Sequence, residues 1–151
     1  MVLVMFAALS SVALAAKKEA TKEKHEGGWL TSYEKALAAS KESGKPILMD
    51  FTGSDWCGYC IKLHGDVFSK EEFKTWAKEN IILLELDFPH DKSKVTEQER
   101  AQNAKLGAKY KVQGYPTCIC LTADEKELGK IVGYSKPEAW MAKAKALAAK
   151  K

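Results

Sequence analysis

Apolar positions along this chain recur in two rhythms, one with the spacing of a helix face and one continuous over short runs. From Trp29, the residues Leu30, Tyr33, Ala36, Leu37 and Ser40 fall on one helical face. Thr31-x-x-Glu34 opens that pattern as a capping box, Gly44 supplies a C-cap, and Pro46 prevents continuation. Residues 46–51 form a short apolar strand, and Thr52-Gly53-Ser54-Asp55 reads as a loop. A short helix is predicted from about 57 to 64, broken by Gly65. Ser69-x-x-Glu72 then caps a helix that buries Phe73, Trp76 and Ala77 and ends at Asn80. The run 81–88 is too apolar for an edge strand and predicts a central, parallel one. After a polar loop at 89–95, Thr96-x-x-Glu99 starts a helix to about 109. Strands at 118–122 and 128–132, joined by a turn at 123–126, predict a hairpin. Ser135-x-x-Glu138 caps a last amphipathic helix to about 149, with Trp140, Met141, Ala144 and Leu147 inward. The order is α–β–α–α–β–α–β–β–α, without internal repeat.

The N-terminus breaks both rhythms. Residues 2–14 are nearly all apolar, small residues follow at Ala13, Ala15 and Ala16, and the chain then turns to Lys17-Lys18-Glu19. This is the pattern of a cleaved signal peptide over 1–16, and the run falls short of the ~20 apolar residues a membrane span needs. An uncleaved anchor is the other reading of the run. Residues 17–28 are charged, end in Gly27-Gly28 and read as a flexible tether. That leaves 29–151 as one domain with one core. The expected location is periplasmic or secreted.

Composition narrows the function further. The net charge of +4 comes from 24 basic and 20 acidic residues. Arg100 is the only arginine, and lysines alternate with glutamates along the predicted helices. A nucleic-acid reader relies on the planar arginine fork, so the charge reads as a solvated surface and no nucleic-acid partner is expected. No glycine-rich phosphate loop and no Ser/His/Asp order is present.

The four cysteines carry the chemistry. Cys57 and Cys60 stand three positions apart at the start of a predicted helix, where partial positive charge favours the attacking thiolate. In an oxidising compartment such a pair is a structural staple or a working redox couple. A bridge across two intervening residues removes little unfolded-state entropy, so the spacing favours chemistry. Cys118 and Cys120 alternate along a predicted central strand, close to or beyond the reach of an unstrained disulfide, and read as buried free thiols. His64 shares a helical face with Cys60, so Cys57, Cys60 and His64 could offer three soft ligands to copper or zinc. His25 in the tether and His90 in a polar loop suggest no site.

Trp56-Cys57-Gly58-Tyr59-Cys60 after the first core strand, with an isolated Tyr115-Pro116-Thr117 before the hairpin, resembles the thioredoxin superfamily. The resemblance covers about residues 29–149. The stretch 50–60, with Val67-Phe68 beyond it, is similar to exported bacterial thioredoxin-like proteins and to the C-terminal thioredoxin-like domain of DsbD. The implied fold is a three-layer α/β/α thioredoxin fold, its central mixed sheet built from a βαβ half and a ββα half, with an additional N-terminal helix. The resemblance implies Cys57 as the exposed attacking thiolate, Cys60 as the resolving thiol and Asp50 as a buried carboxylate that accepts its proton. It implies a cis Pro116 and substrate contacts from Trp56, Gly58, Tyr59, Tyr115 and Pro116, with the Tyr115 backbone pairing to an extended peptide. No cofactor beyond the Cys57–Cys60 disulfide is implied. The implied partners are proteins with disulfides or thiols and a membrane electron donor of DsbD type, the chain itself being a monomer.

Three departures from thioredoxin itself bear on these expectations. One extra residue separates Asp50 from Cys57, Leu83 stands where thioredoxin has a lysine, and Tyr59 replaces a proline. Without that lysine, desolvation should raise the pKa of Asp50. Potentials in the family span ~150 mV, about 7 kcal/mol for two electrons, so the motif leaves the direction of electron flow open. A reductant or exchanger of protein disulfides is the first expectation. A disulfide-installing oxidant using the same residues, a copper or zinc module and a redox-inert interaction domain are the alternatives.

Overall fold

A computed structural model describes residues 28–150. The expected signal peptide and nearly all of the tether lie outside the described residues. The elements are α1 (Tyr33–Ser43), β1 (Ile47–Thr52), α2 (Gly58–Leu63), α3 (Glu71–Asn80), β2 (Ile82–Asp87), α4 (Glu97–Lys109), β3 (Thr117–Leu121), β4 (Glu127–Val132) and α5 (Pro137–Ala148). The sheet runs β2-β1-β3-β4. Its β1–β2 pair is parallel, and the other two pairs are antiparallel. This is the expected three-layer α/β/α thioredoxin fold, a βαβ half joined to a ββα half. Among the described residues no helix is long and apolar enough to cross a membrane.

Strand β1 is buried along its whole length, so its alternating side chains serve two cores. Ile47, Met49 and Phe51 join Leu84, Leu86, Ile119 and Leu121 on the face covered by α1 and α4. Leu48 joins Leu83, Cys118, Cys120 and Ile131 on the other face, under Leu63, Phe73 and the fully buried Trp140 of α2, α3 and α5. Asp50 follows Leu48 by two positions and so points to this second face, beneath α2.

Several expectations need correction. Strand β2 is an edge strand, not a central one. Its apolarity is matched to two covered faces, and its outer rim is partly paired: Leu30 N donates to Leu83 O at 2.9 Å and Glu85 N to Leu30 O at 2.8 Å. Gly65 does not break the helical path, because a π-helical turn over His64–Phe68 carries it on, closed by Ser69 N to His64 O at 2.9 Å. Ser69 does not cap α3; its hydroxyl donates back to Gly65 O at 2.9 Å and Lys70 is the N-cap. Ser32 rather than Thr31 caps α1, and Lys136 followed by Pro137 replaces the Ser135 cap on α5. Trp76 is only partly buried. The Thr96–Glu99 capping box on α4 forms as expected, with both reciprocal hydrogen bonds.

Candidate active site

The turn between β1 and α2 sets the site. Asp87, at the end of β2, accepts from Ser54 N at 2.9 Å and from Ser54 Oγ at 2.5 Å. Asp55 accepts from His90 N and Asp91 N, each at 2.9 Å, which ties the turn to the polar loop after β2. These two backbone bonds hold the Asp55 carboxyl below its usual range. Cys57 N donates to Gly53 O at 2.9 Å and closes the turn, which accommodates the extra residue before the first cysteine.

Cys57 is the N-cap of α2, and its sulfur accepts from Cys60 N at 3.3 Å. The two cysteines form a disulfide with Cα atoms 5.2 Å apart. The redox group is therefore this pair of side chains rather than a bound cofactor. In the closed disulfide Cys57 is 7% exposed and Cys60 4%.

The other expected site residues gather around this pair. The Tyr115–Pro116 bond is cis, and Pro116 O accepts from Gly133 N at 2.8 Å. Trp56 is half exposed, donates from Nε1 to Phe88 O at 2.8 Å and meets Tyr115 edge to face at 5.8 Å. Tyr59 is 65% exposed and stacks on Tyr134 at 6.2 Å. A Cβ at Gly58 would meet no atom within 4 Å, so the position beside the disulfide is open.

Asp50 is buried at 5% exposure and lines a cleft of about 230 Å³ together with Thr52, Ser54, Cys60, His64 and Glu85. Its pKa is pushed up to about 7, first by burial. A hydrogen bond from Cys118 Sγ to Oδ1, 3.4 Å long, opposes that rise, while the charges of Glu85 and Asp87 add to it. Leu83 is buried in the core, and the charged groups acting on Asp50 are both acidic.

Sequence reasoning did not connect four residues to this site, although it read Cys118 correctly as a buried free thiol. Glu85 and Cys118 flank Asp50 because the register pairs each with it, from β2 and from β3. Asp87 holds the turn from the end of β2. His90, set aside as a loop residue, stacks on Trp56 at 5.1 Å with rings 9° from parallel. None of these contacts leaves a local signal in the sequence. The proposed third metal ligand, His64, instead lines the cleft and meets Phe68 edge to face. Among the described residues no group of three or more His, Cys, Asp or Glu is arranged to hold a metal ion.

A profile of the thioredoxin-like domain matches residues 33–148. Disulfide bond reductase DsbH of Chlamydia pneumoniae is 41% identical over 100 residues, which is 66% of this chain and 60% of that protein. The matched stretch thus spans less than two thirds of the relative's length. A solved DsbH oxidoreductase superposes with a TM-score of 0.74 at 31% identity, covering 95% of this chain and 96% of that one. The C-terminal domain of Neisseria meningitidis DsbD, in its oxidised form, gives a TM-score of 0.55 at 19% identity over 75% of this chain and 90% of that one. That second likeness is one of fold alone, and the similarity to DsbH is the stronger.

Proposed function

The chain belongs to the thioredoxin-like domain family, and from that premise we propose that it is an exported thiol–disulfide oxidoreductase that reduces disulfides in other proteins. One observation carries the reading: a closed Cys57–Cys60 pair at the start of a helix, over a cleft that also holds a buried carboxyl group. The similarity to a protein named as a disulfide bond reductase supports the reducing direction.

In the reduced protein, Cys57 as thiolate attacks one sulfur of a substrate disulfide. A Cys57–substrate bond forms and the other substrate sulfur leaves as thiolate. The backbone N–H of Cys60, aimed at Cys57 Sγ, favours that thiolate. Asp50 then takes the proton of Cys60, and the Cys60 thiolate attacks Cys57 Sγ. This closes the Cys57–Cys60 disulfide and releases the second substrate thiol. A carboxyl group with its pKa near 7 can accept that proton and later return it. The substrate peptide lies along Tyr115-Pro116, between Trp56 and Tyr59, with the open position at Gly58 leaving room for it.

Two electrons must return to Cys57–Cys60 after each cycle, and outside the cytoplasm they come from a dithiol donor held in the membrane, of DsbD type. The apolar run 2–14 and the small residues after it support export by a cleaved signal peptide.

Insulin reduction tests the assignment. Cys57→Ser is expected to abolish it, and Cys60→Ser to accumulate a substrate-linked band on non-reducing gels. Full activity in Cys57→Ser would remove the assignment.

A further inference from the structure

The reaction scheme leaves one buried thiol beside its base unused. Cys118 is 1% exposed and lies directly opposite Asp50 in the β1–β3 pairing. Its sulfur donates to Asp50 Oδ1 at 3.4 Å. Asp50 is thus held between Glu85 in one neighbouring strand and Cys118 in the other. Asp87 acts on it from the end of β2, and Cys60 and His64 share its cleft from the helical layer above. Cys120, two residues along β3, is a second buried free thiol facing the same core.

We infer that Cys118 is a positioning residue for proton transfer at Cys60: its thiol holds one oxygen of Asp50, orients the carboxyl group, and leaves Oδ2 for the proton of the resolving cysteine. The inference rests on the proposed role of Asp50 as base. Burial pushes the Cys118 thiol well above its ordinary pKa, as does the neighbouring Asp50 charge. Cys118 therefore remains a neutral donor across the working pH range and does not itself compete for the proton. A donor to a carboxylate stabilises the charged form, against the burial and the two acidic neighbours that disfavour it. The balance sets the pH at which Asp50 switches from acid to base. A side chain present for packing alone would act on that pH only through burial, and its truncation would lower the midpoint rather than raise it.

The test is a pH titration of the Asp50 carboxyl carbon by 13C NMR in the oxidised full-length protein, with Asp50→Asn to assign the signal. Cys118→Ala is expected to raise the midpoint by about one pH unit. Cys118→Ser, with a stronger hydroxyl donor, should return it to the wild-type value or below. The pH dependence of the resolving step, followed as leaving-thiol release from a preformed Cys57 mixed disulfide, should move in parallel. An unchanged or lowered midpoint in Cys118→Ala, or Ala and Ser variants shifting together, overturns the inference. Cys118→Ala alone decides the matter if the buried hydroxyl of the Ser variant prevents folding. The titration involves no turnover, so it separates two kinds of failure. A wild-type resolving rate in Asp50→Asn would remove the base and the inference together, whereas an unmoved titration would remove only the role of Cys118.

Discussion

A carboxyl group at the centre of a sheet is costly to ionise, and Asp50 shows what that does to stability. Its pKa is about 7 in the folded chain against 3.8 as an ordinary side chain. Between those pH values the folded state holds a proton that the unfolded state has released, so stability falls as pH rises from about 4 to about 7. The penalty is absent below that window and fully present above it. Asp50→Asn keeps the shape and removes the charge. It should therefore raise unfolding free energy at pH 8 by on the order of 4 kcal/mol, with the gain shrinking toward zero near pH 4. Urea unfolding at the two pH values checks this. A gain independent of pH would show that the carboxyl is not ionising inside the fold. The residues proposed to run this chemistry were only half legible in the sequence. Cys57 and Cys60 stand out because they are local to each other, and Asp50 and Pro116 because they bracket the motif in a familiar order. Glu85 and Cys118 reach Asp50 only through strand register, 35 and 68 positions away, a relation that no single segment of sequence displays.

At the scale of elements, the turn over residues 53–56 and the cap of α4 offer two separate tests. A Cβ at Gly53 would lie 2.5 Å from the Trp56 ring, closer than packing permits. Gly53→Ala should displace the indole from Phe88 O and from the His90 ring, seen as a shifted Trp56 Nε1–H signal by NMR and a slower attack by Cys57. An unmoved indole signal would show that the ring is not seated against that glycine. Thr96→Ala removes a reciprocal cap and should cost about 1 kcal/mol in denaturant unfolding. Ser135→Ala, at a position that does not cap α5 and whose hydroxyl is buried without a hydrogen-bond partner, should leave the chain as stable as the parent or slightly more so. These elements also explain where pattern reasoning succeeded. The helices and strands appear in the predicted order because apolar spacing reports which faces are covered. It does not report neighbours along a sheet. That is why β2, buried on two faces and paired at its rim through Leu30, read as a central strand. A Ser-x-x-Glu spacing likewise offers a cap without obliging one, and Ser69 spends its hydroxyl on the π-helical turn instead.

Over the whole molecule, the apolar side chains left in water mark one end of the domain. Trp56, Tyr59 and Ile61 surround the cysteine motif, and Val132 lies opposite Thr117, next to the cis Pro116. A surface of this kind suits an unfolded or extended peptide better than a small polar substrate. The same surface would serve a reductant and an oxidant equally, so the direction of electron flow is set by the pair itself. The most direct test of the central claim is the reduction potential of Cys57–Cys60, obtained by equilibrating the protein with glutathione or dithiothreitol buffers and trapping free thiols. A protein-disulfide reductase should give a value near the ~−270 mV of thioredoxin; a value near the ~−120 mV of DsbA would contradict the account and make the same residues an oxidant.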